Sequence, residues 1–204
     1  MLFELRKIGM HEPLPDGGTI RKLWRGETDA YRDHLLRLDH ESRYRRFSGT
    51  VSDEFIACHA ATAGDIGVVV HGFFVDGTLR GAAELRRNGA GLGSLFAHEG
   101  EAAFSIEQSW QSHGVGTVLL ERTLLSARNR GITSLQMQCL ANNQRMQQLA
   151  RKFAAEFKFD FGCVVGEVDA PGSTALSLMR EAMADNYGIG TAILEAQSRL
   201  FRLS

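Results

Sequence analysis

The stretch that decides the fold of this chain is Gln111-Ser112-His113-Gly114-Val115-Gly116-Thr117. It follows an apolar run that ends at Ile106 and precedes an amphipathic segment that ends at Gly131. Glycine has no Cβ atom, so the backbone of this stretch can approach a ligand closely. The N–H groups in the first turn of a helix also point at anions, with the helix dipole behind them. The stretch therefore predicts a strand, a pyrophosphate-binding loop and a helix.

Three other phosphate-binding motifs do not fit this stretch. A Walker loop ends in Gly-Lys-Ser/Thr, but Gly116 is followed by Thr117 and Val118. The dinucleotide fingerprint needs a third glycine or alanine where the chain has Leu119, and the kinase glycine-rich loop fails at the same residue. The pattern that remains is Gln-x-x-Gly-x-Gly after a strand.

Composition excludes several classes of protein. The 204 residues, 44% hydrophobic and 23% charged, suffice for one core and need no second domain. No apolar run approaches the length of a membrane span and residues 1–6 lack the apolar core of a secretory signal, so we expect a cytoplasmic protein. A net charge of -1 disfavours a nucleic-acid surface. Cys58, Cys139 and Cys163 are odd in number and widely spaced, and the histidines do not cluster, so neither a disulfide framework nor a metal site is expected.

Hydrophobic periodicity and turn residues predict the elements that precede the loop. A strand at about 19–24 is followed by a helix at about 28–37 and by two short helices, at 42–47 and 52–61. Asp76-Gly77 is a strong hairpin turn signal between strands at 66–75 and 79–85. Two more strands are expected, near 92–96 and at 101–106.

After the loop, Leu120, Leu124 and Ala127 line one face of a helix, and residues 135–139 alternate as a strand does. Asn142 or Asn143 caps the next helix. Its apolar stripe consists of Met146, Leu149, Ala150, Phe153 and Phe157. A closing hairpin is predicted from Phe159 and Phe161 and from residues 164–168.

The motif and the order of elements resemble the GNAT acetyltransferase superfamily over about residues 18–169. Residues 101–106 and 38–47 are most similar to the acetyltransferase domain of bacterial protein lysine acetyltransferases. The resemblance implies one α+β domain over residues 1–204, with a mixed, mostly antiparallel sheet, flanking helices and a C-terminal helical extension. The implied activity is N-acetyl transfer from acetyl-CoA to a primary amine, in a small molecule or a protein lysine, without a metal. A non-catalytic acyl-CoA sensor and an interaction module stay open as alternatives.

An amine must lose a proton before it attacks a thioester, because the pKa of a lysine ammonium is about 10.4. Glu101 is the predicted general base, since a carboxylate is out of place at the start of an apolar strand unless it lies at the sheet rim or serves a site. The resemblance places the catalytic glutamate of the lysine acetyltransferases at this position. A solvated rim residue is the alternative reading, and Glu107 is the second candidate base.

The resemblance also assigns cofactor-binding residues. The strand before the loop would bind the pantetheine arm through free backbone groups at a splay or bulge. Asn143 matches an asparagine near the cofactor arm, although a plain helix cap explains it as well. Ala150 stands where many members carry a tyrosine that acts as general acid. The cofactor-binding residues assigned in this way are Phe104, Ser105, Ile106, Gln111, Ser112, His113, Gly114, Val115, Gly116, Thr117 and Asn143.

Two further regions allow more than one interpretation. Arg43, Arg45 and Arg46 either steer an acidic partner or form a solvated helix face. Residues 172–204 carry two apolar helical stripes, separated by a break at residues 185–188. The stripes either pack on the chain's own sheet or form a homodimer seam or a wall of the acceptor cleft. The first stripe consists of Leu176, Met179 and Met183, and the second of Ile193, Leu194, Gln197, Leu200 and Phe201.

Overall fold

The fold is built on one seven-stranded sheet with the strand order β1-β2-β3-β4-β5-β7-β6. The computed structural model describes residues 14–89, 97–153, 156–160, 163–169 and 172–202. Neighbouring strands are antiparallel except β4 and β5, which are parallel. The strands are β1 Thr19–Lys22, β2 Val68–Val75, β3 Thr78–Arg87, β4 Glu99–Ile106, β5 Ser134–Leu140, β6 Glu156–Asp160 and β7 Cys163–Asp169.

Helices flank this sheet. Within the described ranges they are α1 Thr28–Arg37, α2 His40–Phe47, α3 Asp53–Ala61, α4 Val115–Asn129, α5 Gln144–Arg151 and α6 Ala175–Arg202. The α+β architecture with a C-terminal helix is the one that the sequence predicted.

Local signals place most element boundaries. Ser52 caps α3 by accepting a hydrogen bond from the Phe55 N–H group, at 3.2 Å. Asp76 and Gly77 both have positive φ, as the tight turn between β2 and β3 requires. The helix α2 begins earlier than predicted because Asp39 caps it, its carboxylate accepting from the Ser42 N–H group at 2.9 Å.

The core lies on both faces of the sheet. On one face, α1 and α3 cover the β2–β3 hairpin, and the buried side chains there include Tyr31, Leu35, Ile56 and Phe74. On the other face, α4 and α5 pack over β4, β5 and β7. The predicted stripe of α4 is confirmed, since Leu120 and Ala127 are buried and Leu124 is partly buried.

The helix stripe predicted around residues 146–157 was too long. The helix α5 ends at Arg151, and Phe157 lies in β6, although it packs on the same core cluster as Met146. An apolar residue at the right spacing continued the periodic pattern after the helix had ended. The strand predicted near 92–96 and residue Phe161 lie outside the described residues.

The C-terminal extension lacks the predicted break, and for its first stripe the structure excludes one of the alternatives. The helix α6 runs without the predicted break, and Gly188 is buried in it. A Cβ at Gly188 would lie 2.6 Å from the Cβ of Arg21, so glycine lets the helix approach β1 closely. The stripe of Leu176, Met179 and Met183 does not pack on the sheet, because each of these side chains is at least half exposed.

Candidate active site

A fork between the parallel strands β4 and β5 forms the centre of the site. The two strands pair only from Glu99 to Glu101 on β4 and from Ser134 to Gln136 on β5. Beyond this point β4 stays paired to β3, and β5 stays paired to β7, each in unbroken register. We call residues 102–106 and 137–140 the fork. The facing edges of two separated strands leave backbone groups for a ligand, as the predicted clamp requires. The opening is a splay, not a bulge.

Glu101 lies where the fork begins. It is the third residue of β4, and not the first as predicted, because Glu99 and Gly100 extend the pairing with β5. Its side chain is exposed, and within the described residues its carboxylate has no hydrogen bond or ion pair. By strand alternation it points to the same face as Ala103 and Ser105, the face that α1 and α3 cover. A free carboxylate in this place can accept a proton.

Glu107, the second candidate base, is held in an ion-pair cluster. Its carboxylate accepts hydrogen bonds from Arg37 and Arg80, both at 3.0 Å, and lies 3.3 Å from Nδ1 of His34. Burial would raise the pKa of Glu107, but the hydrogen bonds from His34, Arg80 and Arg37 lower it overall. A carboxylate with a lowered pKa and two bound guanidinium groups is a weak proton acceptor, so the geometry favours Glu101 as the base.

Ser105, His34 and Glu107 are arranged in a line like a hydrolytic triad. Nε2 of His34 lies 2.9 Å from Oγ of Ser105, and burial lowers the pKa of His34. The Ser105 side chain, however, is buried and faces α1, so the cluster fastens the end of β4 to that helix. Phe104, Ser105 and Ile106 pair with β3 along one edge, and this leaves the other edge of the strand facing β5.

A second buried cluster lies under the same face. The Glu84 carboxylate accepts hydrogen bonds from Tyr31 at 2.8 Å and from Arg46 at 2.5 Å. Burial would raise the pKa of Glu84, but the hydrogen bond from His59 and nearby positive charges lower it. The solvated-face reading of Arg46 is therefore wrong, because its side chain is only 7% exposed and pairs with a carboxylate. Burial would lower the pKa of Arg46, but negative charges that include Glu101 raise it.

The remaining arginines of α2 lie closer to the surface. Arg45 forms an ion pair with Glu41 one turn earlier, at 2.5 Å, as a solvated helix face does. Arg43 forms an ion pair with Asp53 and also donates to the carbonyl of Leu36. Arg43 therefore joins α2 to the two neighbouring helices, whereas Arg45 pairs within α2.

The glycine loop enters α4 with donors free. Gly114 has a φ of 82° at the helix N-cap, a conformation that glycine tolerates best. Within the described part of the chain, residues 112–116 donate no backbone hydrogen bond to another backbone group. The Thr117 N–H group is already bonded to the Gly114 carbonyl at 2.9 Å, so the predicted cradle loses this donor. Its N–H groups are those of residues 112–116, including Ser112, His113, Val115 and Gly116, and the His113 side chain is exposed as expected.

The Gln111 side chain ties three elements together at the mouth of the fork. Its Nε2 group donates to the Ile106 carbonyl at 2.8 Å and to Ser42 Oγ at 3.1 Å, and Arg145 donates to its Oε1 atom. These contacts join β4, α2 and α5. Beside them lies a polar cleft of about 280 Å³, lined by Asp39, Glu41, Ser42, Arg45, Gln108, Gln111, Asn142, Gln144 and Arg145.

Asn143 caps α5, with its Oδ1 atom accepting from the Met146 N–H group at 3.2 Å. Its neighbour Asn142 lines the polar cleft. Ala150 is buried in the core, and its methyl side chain cannot act as a general acid. Within the described ranges no three His, Cys, Asp or Glu side chains lie close enough to hold a metal ion.

Sequence reasoning missed the buried polar residues behind the fork. His34 lies in the apolar stripe of α1 with Tyr31 and Leu35, and Glu84 lies in an otherwise apolar part of β3. A polar residue in a buried stripe signals a buried partner. The sequence does not identify that partner, because the side chains that meet Glu84 come from three different helices.

Comparison with known proteins agrees with this geometry. The sequence profile of the Acetyltransferase (GNAT) family matches residues 27–155, which include α1, the fork and the glycine loop. The chain belongs to the GNAT acetyltransferase family. The match supports an acyltransferase, and the family generally uses acetyl-CoA.

Solved GNAT structures share the fold. The GNAT domain of S. lividans PAT is 26% identical, with a TM-score of 0.63, and the alignment covers 74% of this chain and 89% of that one. An N-acetyltransferase from Staphylococcus aureus Mu50 is 18% identical, with a TM-score of 0.56 and coverage of 75% and 98%. The structure of yncA from Salmonella typhimurium with its cofactor acetyl-CoA is 17% identical, with a TM-score of 0.57 and coverage of 78% and 96%.

Proposed function

We propose that this GNAT protein is an N-acetyltransferase that moves an acetyl group from acetyl-CoA to a primary amine by direct attack. The observation that carries the proposal is the position of Glu101, exposed and without an ion pair among the described residues, where β4 and β5 separate. In a GNAT fold this is the place where an amine and an acyl donor would meet.

The residues around the fork fit acetyl-CoA. Fork residues 102–106 present a backbone edge without a strand partner for the amide groups of the pantetheine arm, although the Ile106 carbonyl already accepts from Gln111. The N–H groups of residues 112–116 and the positive end of the α4 dipole suit the pyrophosphate. When bound, acetyl-CoA supplies an activated acyl group, whose thiolate leaves without strong acid assistance. The buried Ala150 is consistent with a site that has no tyrosine acid.

Glu101 would perform the proton transfer. Its carboxylate takes a proton from the ammonium group of the acceptor, which cannot attack while charged. Arg46 lies within electrostatic range and, being fixed on Glu84, cannot swing out to neutralise Glu101 fully. The rest of the site binds and orients, and orientation by itself supplies a large part of a rate enhancement.

The acceptor class is also part of the proposal. The S. lividans relative is a PAT, a protein acetyltransferase, and its domain is similar over most of both chains. We therefore propose a lysine side chain of a protein as the first acceptor to test, with a small-molecule amine as the alternative. The exposed position of Glu101 supports a bulky acceptor, because a base at a surface is within reach of a side chain on another protein.

The test is a mass-spectrometric screen of lysine peptides and small primary amines incubated with acetyl-CoA, with thiol release measured in parallel. We expect a mass increase of one acetyl group on at least one amine and an equal release of thiol. Calorimetric binding of acetyl-CoA without transfer to any amine would indicate the sensor instead. If acetyl-CoA neither binds nor donates its acetyl group, the result would indicate an interaction module.

A further inference from the structure

The helix α6 is turned with its polar side toward the protein. The Glu181 carboxylate is buried and accepts hydrogen bonds from Lys22 at 2.5 Å, Arg130 at 2.8 Å and Asn129 at 2.6 Å. Asp185 forms a second ion pair with Lys22, at 2.6 Å. An ordinary surface helix buries its apolar stripe and exposes its charges, so this arrangement is the reverse of the common one.

The opposite side of α6 is an uncharged strip. Every described residue of α6 between 175 and 193 that is exposed is uncharged, because Arg180, Glu181 and Asp185 are at least partly buried against the body. The large apolar side chains of this strip are between 39% and 56% exposed, and they include Leu176, Met179, Met183, Tyr187, Ile189 and Ile193. We call this surface the outer strip.

The outer strip has the size of an apolar patch that is often functional. It is about 27 Å long, at 1.5 Å per helical residue, and roughly 10 Å wide. The largest exposed apolar patch of a typical monomer covers roughly 300 to 600 Å² and is often functional, and the outer strip reaches the lower end of that range.

We propose that the outer strip is the seam of a homodimer in which two copies of α6 pack antiparallel. An anionic membrane surface needs lysine or arginine beside the apolar residues, and the described part of the strip has neither. Depletion of charge with enrichment of Met and aromatic residues is typical of a homodimer interface core. A two-fold axis also brings each residue of one patch onto the same patch of a second copy.

The residue pattern of the strip fits that symmetry. In an antiparallel pair centred on Met183, Leu176 lies opposite Gly190 of the second copy, and Met179 lies opposite Tyr187. A large residue thus meets one without a side chain, and a thioether meets an aromatic ring. By symmetry, each of these contacts occurs twice in the dimer.

The test is sedimentation of the full chain through a dilution series. We expect twice the mass of one chain, with dissociation as the protein is diluted. Met183→Glu places two carboxylates at the axis and should give a monomer, whereas the matched control Ile66→Glu should stay dimeric. Ile66 is 48% exposed, close to the 50% of Met183, and lies before β2. A wild-type monomer throughout the series, or a dimeric Met183→Glu variant, would overturn the proposal.

A cross-link gives an independent readout. In a background where serine replaces both Cys58, whose thiol is exposed, and Cys163, Met183→Cys should form a disulfide between two chains under mild oxidation. An Ile66→Cys control should not. At a dilution where the wild type is monomeric, the thermal midpoint of Met183→Glu should match that of the wild type, and so should its acetyl-CoA affinity, which shows that the folded subunit is intact. Failure of the Met183→Cys cross-link in a protein that sediments as a dimer would place the seam elsewhere.

Discussion

Glu107 is a glutamate at the end of the same strand as Glu101, but it is fixed by Arg37, Arg80 and His34. Its replacement by glutamine should therefore cost stability and spare chemistry. We expect Glu107→Gln to lower the free energy of unfolding by about 2 kcal/mol, because two guanidinium groups lose a charged partner. Urea denaturation measures this cost, with Glu101→Gln as the control that should unfold like the wild type. A stable Glu107→Gln variant with a large loss of turnover would make Glu107 the base.

The two glutamates look alike in the sequence, since each lies at one end of the same apolar run. What separates them is supplied by residues far away in the chain. Arg37 reaches Glu107 from a position 70 residues earlier, and no local pattern announces that contact. The sequence could predict that a carboxylate serves the site, but the tertiary structure was needed to favour one of the two.

Among the elements, the glycine loop gives the sharpest prediction. Gly116 lies in the first turn of α4, where a Cβ would meet only side-chain carbons at 3.5 Å, an ordinary contact. Gly116→Asp should therefore fold normally, because an acid at a helix N-terminus is favourable by about 0.5 kcal/mol. The same carboxylate should abolish acetyl-CoA binding by repelling the pyrophosphate. Calorimetry and thermal melting together measure both effects.

The matched control is Gly114→Ala. Gly114 has a φ of 82°, and a Cβ added there would have no other atom within 4 Å, so alanine meets backbone strain and no clash. We expect a loss of about 1 kcal/mol of stability with much weaker effects on binding than Gly116→Asp. Unchanged acetyl-CoA affinity in a folded Gly116→Asp protein would remove the loop from the cofactor site.

Elements set by local chemistry were predicted from neighbouring residues, whereas the opening between β4 and β5 was expected only from the family resemblance. The helix α1 and the turn at Asp76-Gly77 depend on neighbours in the sequence, and both were confirmed. The fork depends on which strands meet, and only three residues of β4 pair with β5. The orientation of α6 was left open because an apolar stripe shows where a helix can be buried, but not which partner buries it.

At the scale of the whole molecule, buried ionisable groups predict a loss of stability in acid. Burial raises the pKa of Glu181, but hydrogen bonds from Lys22, Arg130 and Asn129 outweigh it and lower that pKa to about 2. Hydrogen bonds and nearby charges likewise lower the pKa of Glu84 and of Glu107. Burial and the charge of Lys22 lower the pKa of His71 to about 3.

All four groups act in the same direction. In the unfolded chain, His71 becomes protonated below pH 6.5 and the glutamates become protonated below pH 4.5. In the folded protein these groups stay unprotonated to lower pH, because their pKa values are lowered. Stability should thus be full at neutral pH, fall from about pH 6.5 and fall more steeply from 4.5 toward 2. Urea midpoints measured along this range test the trend, and a midpoint that rises in acid would contradict it. Glu181→Gln should flatten the lower part of the curve.

The most direct test of the central claim is the pH dependence of kcat/KM for acetyl transfer by Glu101→Gln, measured with the amine that the screen identifies. The control is Glu99→Gln, which removes an exposed carboxylate two residues earlier on the same strand face. We predict that Glu101→Gln is roughly 100-fold slower than the wild type at neutral pH, with acetyl-CoA affinity unchanged and a deficit that shrinks as the amine deprotonates unaided. Wild-type rates for Glu101→Gln at neutral pH, equal to those of Glu99→Gln, would contradict the account.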